Sequence, residues 1–98
     1  MRIKAKFKDD VATIKMLIKH PMESGRRKDE AGNVIPAMYV ITVTAHVEGI
    51  QVFEVNTGTG VSKNPFIQFK LSGRSVGDTV ALKWTDSSGV TEEDTVTL

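Results

Sequence analysis

The chain has 98 residues, 40% of them apolar and 26% charged, an ordinary balance for a soluble globular protein that argues against disorder. No apolar run approaches the ~18 residues a helical membrane crossing needs, and thirteen basic against twelve acidic side chains leave a net charge of +1, so no general attraction to nucleic acid or to an anionic membrane is written into the composition. The absence of cysteine removes disulfides, thiolate nucleophiles and thiolate metal sites, and a single domain spanning residues 1–98 is expected because a second core would not fit.

Period-two alternation recurs along the chain and helical periodicity does not. Ile3, Ala5 and Phe7 point one way and Arg2, Lys4, Lys6 and Lys8 the other, which describes a half-buried strand with a basic outer face. The same stretch lacks the apolar core and small-residue cleavage site of a secretory signal, and taken alone reads as cytoplasmic. Asp9-Asp10 suits a turn. A second strand carries Ile14, Met16 and Ile18 on one side and closes at Pro21, which has no backbone donor.

From Lys19 to Tyr39 runs a long polar connection. Connections beyond about 12–15 residues without an element of their own are uncommon in small domains and are usually functional or disordered. This one gathers the cations Arg26, Arg27 and Lys28 and is flanked by Met22 and Met38, whose flexible thioether side chains suit adaptable contact surfaces. It is expected to bind a partner.

A third strand follows, with Tyr39, Ile41, Val43, Ala45 and Val47 expected on one face and Val40, Thr42, Thr44 and His46 on the other. Glu48-Gly49 is spaced as a two-residue hairpin to a fourth strand over Ile50 to Thr57. Gly58-Thr59-Gly60-Val61-Ser62-Lys63 reads as a flexible turn. It imitates a phosphate-binding loop only superficially, because Asn64-Pro65-Phe66 begins a strand and not a helix. Phe66 to Leu71 alternates as a fifth strand. Val80, Leu82 and Trp84 line one face of a sixth, and Asp86-Ser87-Ser88-Gly89 closes a hairpin onto a seventh ending at Leu98. The expected fold class is an all-β, immunoglobulin-like antiparallel sandwich of about seven strands with Trp84 as core anchor, a small barrel being the rival architecture.

Reactive chemistry is sparse. His20 and His46 lie in different segments without carboxylates at metal-ligand spacing, and are expected to cap the second strand and to sit on the polar face of the third. Ser24 and Ser62 have no flanking elbow pattern. The aromatic residues Phe7, Tyr39, Phe53, Phe66, Phe69 and Trp84 fall mostly on faces expected to be buried, which disfavours a base-stacking platform. No catalytic, cofactor-binding or metal site is expected, and no nucleic-acid or membrane partner.

Taken in order, His20-Pro21-Met22-Glu23-Ser24-Gly25, Arg27-Lys28-Asp29, Ile35-Pro36-Ala37, Ser62-Lys63-Asn64-Pro65-Phe66, Gly77-Asp78-Thr79 and Trp84 with Asp86 resemble the SoxZ family over nearly the whole chain. The resemblance implies a non-catalytic subunit of a sulfur-carrier heterodimer, in which a SoxY-like partner bears the cysteine that holds sulfur during thiosulfate oxidation and presents it to the Sox enzymes that dock transiently. It also implies a periplasmic location, reached by export with the signal-bearing partner, which overrides the cytoplasmic reading. The residues expected to contact a partner are His20, Met22, Arg26, Arg27, Lys28, Met38, Asn64 and Phe66, and an isolated chain is expected to self-associate, up to a homodimer, through the patch meant for the partner. The alternative is a free-standing sandwich that binds a ligand or adheres to a surface.

Overall fold

The computed structural model describes residues 1–57 and 63–98, so most of the turn expected at Gly58 to Lys63 lies outside the described residues. Seven strands follow in chain order: β1 (Arg2–Lys8), β2 (Val11–Leu17), β3 (Val40–Val47), β4 (Ile50–Asn56), β5 (Phe66–Ser72), β6 (Thr79–Asp86) and β7 (Thr91–Thr97). They pair antiparallel into a three-stranded sheet, β1-β2-β5, and a four-stranded sheet, β4-β3-β6-β7. The expected all-β sandwich is what forms; among the described residues no ladder joins the two sheets into a barrel.

Immunoglobulin constant domains place their fourth strand beside the fifth. Here β4 pairs with β3, and local geometry explains why. Val47 sits directly opposite Ile50, so only Glu48 and Gly49 make the turn, with φ of 53° and 78°. Two positive φ angles in succession define the tight hairpin whose twist matches its strands, and so short a link cannot carry the chain across to the other sheet.

The inner faces mesh into one core. Ala12, Ile14 and Met16 of β2 meet Val43 and Ala45 of β3 and Val80, Leu82 and Trp84 of β6, all buried. Phe53 of β4 and Phe69 of β5 stack across the layers with ring centroids 4.0 Å apart and planes 4° from parallel. Trp84 is the core anchor expected from its alternation.

Two details depart from strict alternation. The β3–β6 register shifts between Val40 and Thr42, a bulge that turns Val40 into the core and leaves Ile41 39% exposed, the reverse of the expected faces for these two residues. Phe66 begins β5 on the outward side and is 59% exposed, because Ile67, Phe69 and Leu71 take the inward positions.

The long connection also has structure of its own. Glu23 and Met38 exchange backbone hydrogen bonds at 2.7 and 2.9 Å, Ile35 donates to Arg27 at 2.8 Å, and Asp29 donates to Asn33 at 2.8 Å. It is a two-stranded ribbon, here called the arm, and the principal extents of 53 × 21 × 16 Å reflect it: the longest strands have eight residues, or about 27 Å of extended chain.

Candidate functional site

The arm is ordered from its root to its tip, yet buries almost nothing. At the tip the Asp29 carboxylate accepts the backbone N–H groups of Ala31 and Asn33, both at 2.9 Å, which closes the turn without a core. Residues 26–34 are all exposed, Val34 among them at 56%. Midway, Gly25 has φ of +83° and a Cβ there would come within 3.2 Å of the Ala37 Cβ, so the two legs approach closely where only glycine fits comfortably. Glu23 and Arg27 pair on one side of the ribbon, and the guanidinium beside it holds the Glu23 carboxyl below the usual carboxylate range.

An isolated two-stranded ribbon is marginal in water. What holds this one is its root. His20 is buried, with its Nε2–H donating to Asp86 Oδ2 at 3.0 Å and its Nδ1 accepting the Met22 backbone N–H at 3.0 Å, a pattern that assigns the neutral Nε2–H tautomer. Its ring stands edge-on to Trp84, with centroids 5.4 Å apart. Its backbone N–H donates to Asn64 Oδ1 at 2.9 Å and its carbonyl accepts the Asn64 N–H at 2.9 Å. Met22 tucks into the core and its sulfur accepts the Val40 N–H.

Asp86 ties this root to the β6–β7 turn. Its other oxygen, Oδ1, accepts the Ser88 hydroxyl at 2.7 Å and the N–H groups of Ser88 and Val90 at 2.9 and 3.0 Å. Burial pushes the Asp86 carboxyl up, but the Ser88 hydroxyl, the His20 ring and the two backbone donors outweigh it and hold the group down at about 2. The returning leg is fastened to the same turn: Tyr39 donates to Ser87 Oγ at 3.1 Å, and Ser87 donates to the Tyr39 carbonyl at 2.8 Å. Both legs of the arm therefore rest on one hairpin.

The residues expected to contact a partner divide into three groups. His20, Met22 and Asn64 converge at the root, where His20 and Met22 are buried and hold the arm to the sandwich. Arg26, Arg27 and Lys28 lie exposed along the outgoing leg, with Met38 half-buried on the returning one. Phe66 stands apart on the outer surface of β5. Asp86 is the residue that sequence reading missed as part of the site: it was legible as a turn residue, but its bond to His20 spans 66 positions.

A His–Asp pair invites a catalytic reading, and its geometry answers it. Both His20 nitrogens are occupied, one by Asp86 and one by a backbone N–H, and the ring is only 4% exposed, so neither can take a proton from a bound molecule. His46 lies on the outward side of β3, opposite Gln51 and Ala81, and among the described residues no three His, Asp or Glu side chains are grouped to hold a metal ion.

The fold and site thus define a β-sandwich protein whose most distinctive feature is an exposed, root-anchored arm. The family model described as Sulphur oxidation protein SoxZ matches residues 1–97, and the chain belongs to the SoxZ family. That membership places it in the Sox sulfur-oxidation system, among carrier subunits that are generally non-catalytic and work with a Sox partner such as SoxY. A search of curated proteins gives no match.

Proposed function

We propose that this chain is the non-catalytic scaffold of a SoxYZ-type heterodimer and that the arm is the element by which it grips its cysteine-bearing partner. The observation that carries the reading is the combination of order and exposure in the arm: its backbone is bonded from residue 23 to residue 38, while its tip and outgoing leg have no core to cover them. A ribbon held rigid before binding loses little conformational freedom when a partner closes over it, which favours a lasting grip.

In this division of labour the partner supplies the thiol on a mobile segment, and the sandwich supplies a stiff base from which that segment reaches successive enzymes. Arg26 and Lys28, free of the Glu23 contact that engages Arg27, add positive charge at the arm's outer reach for an acidic surface. The working location is the periplasm, reached together with the partner.

The test is co-expression of the full chain with a SoxY-like chain ending in a glycine-flanked cysteine, followed by pull-down and cell fractionation. A one-to-one periplasmic complex is expected, weakened at least tenfold by the pair Val34→Asp and Ile35→Asp. Failure to capture any cysteine-tailed companion, or turnover of substrate by the purified chain alone, overturns the proposal.

A further inference from the structure

The sandwich presents one surface whose charge is entirely of one sign. On the outward side of the three-stranded sheet the register aligns four rows: Arg2, Leu17 and Phe66; Lys4, Lys15 and Gln68; Lys6, Thr13 and Lys70; Lys8, Val11 and Ser72. Six of these twelve positions are cationic and none is acidic. All six cations are exposed, and among the described residues none is within ion-pair distance of a carboxylate. The nearest acids in sequence, Asp9 and Asp10, belong to the turn at the Lys8 end. Because the chain as a whole is only +1, the rest of it is net negative. Lys4 lies directly across from Lys15, a like-charge pairing that disfavours the free sheet.

We propose that this face is a transient docking surface for an acidic protein, namely the acidic rim of an enzyme that acts on carrier-bound sulfur. The inference rests on the carrier reading above, since a carrier must be captured and released at each visit.

Three features favour a protein over other polyanions. The middle rows form an open hollow of about 430 Å³ lined by Lys4, Lys6, Thr13, Lys15, Gln68 and Lys70, suited to protruding carboxylates. At one corner Leu17 and the exposed Phe66 continue the row that begins at Arg2, an apolar anchor beside charge of the kind protein interfaces use. A single aromatic at a corner gives no row for stacking bases, and the face lacks the apolar breadth to enter a bilayer.

Size indicates how long contact lasts. Three strands of seven residues cover roughly 14 × 23 Å, or about 300 Å² on this side, well below the ~800 Å² per partner typical of lasting complexes. Such a patch steers encounter and lets go, as charge-guided contacts do.

The experiment uses the intact heterodimer and compares wild type with the triple variant Lys4→Gln, Lys15→Gln, Lys70→Gln and with the control Lys83→Gln on the opposite sheet. Association rates with each Sox enzyme are measured by stopped flow from low to high ionic strength. The triple variant is expected to associate about tenfold more slowly at low salt with a flatter salt dependence, while maximal turnover, thermal midpoint and retention of the partner subunit stay unchanged and the control behaves as wild type. Unchanged association with every enzyme overturns the proposal. So does a result in which the triple substitution abolishes binding to duplex DNA, to phosphatidylserine vesicles or to a second copy while enzyme association persists. If wild type captures no partner subunit, the carrier reading itself fails; if the partner is retained and the rates do not move, only the docking face falls.

Discussion

The sandwich and the arm are held together by different physics. In the sandwich, strands are fixed because their inner side chains leave water: Ile14, Met16, Val43, Val80 and Leu82 are fully buried. In the arm, backbone hydrogen bonds run with almost no burial, and stability is borrowed from a root where His20, Met22 and Asp86 are packed and bonded. A projecting ribbon can thus be rigid without a core, provided that both its legs are clamped where they leave the fold.

Substitutions should separate the two regimes, with core changes largest. Leu82→Ala is expected to cost about 2–5 kcal/mol, read as a lower urea midpoint for the whole chain, with arm and strand amides losing protection together. Protection lost in the strands alone would show that the arm does not depend on the sandwich.

At the root, Asp86→Ala strands the His20 ring N–H and the donors of Ser88 and Val90, with an expected cost of about 1–3 kcal/mol. Hydrogen exchange should accelerate at Glu23 and Met38 more than in β2. The same carboxylate sets an acid limit. Its folded pKa of about 2 lies below the usual value of 3.8, so its stabilisation is complete above about pH 4 and fades as the pH falls through 2. At most about 2 kcal/mol is involved, and the wild-type loss between pH 4 and 2 should shrink in Asp86→Asn.

Within the arm, Gly25→Ala introduces a Cβ against Ala37 at a positive φ and should cost about 1 kcal/mol, visible as faster exchange at the bonded amides of Asp29 and Ile35 with little change in the global midpoint. Smallest of all, Val34→Ser at the exposed tip should leave stability within about 0.5 kcal/mol of wild type while lowering affinity for the partner subunit. A large stability loss there would mean that the tip is packed after all.

The sequence carried most of the sandwich because its strands are half-buried and alternate. Where alternation breaks, reading broke with it: the bulge near Ile41 inserts one residue into the period, and nothing in the order Val40-Ile41-Thr42 announces it. The arm read as an irregular connection because its ladder is sparse and its residues polar on both sides, so no periodicity marks it. His20 looked like a strand cap because its partners, Asn64 and Asp86, are 44 and 66 positions away. The basic surface was half visible. Lysines alternate plainly along β1, but only the pairing of β1, β2 and β5 brings Lys15 and Lys70 beside them.

The outer surfaces of the two sheets differ in one more respect. On the four-stranded sheet Lys83 stands between Thr44 and Glu93, so opposite signs are neighbours, whereas on the three-stranded sheet Lys4 meets Lys15. Dissolved ions should consequently pull this protein in two directions, relaxing the strain of crowded ammonium groups in the unbound subunit while dulling its attraction to carboxylate-rich visitors. A medium rich in electrolyte would make the resting carrier sturdier and its encounters rarer.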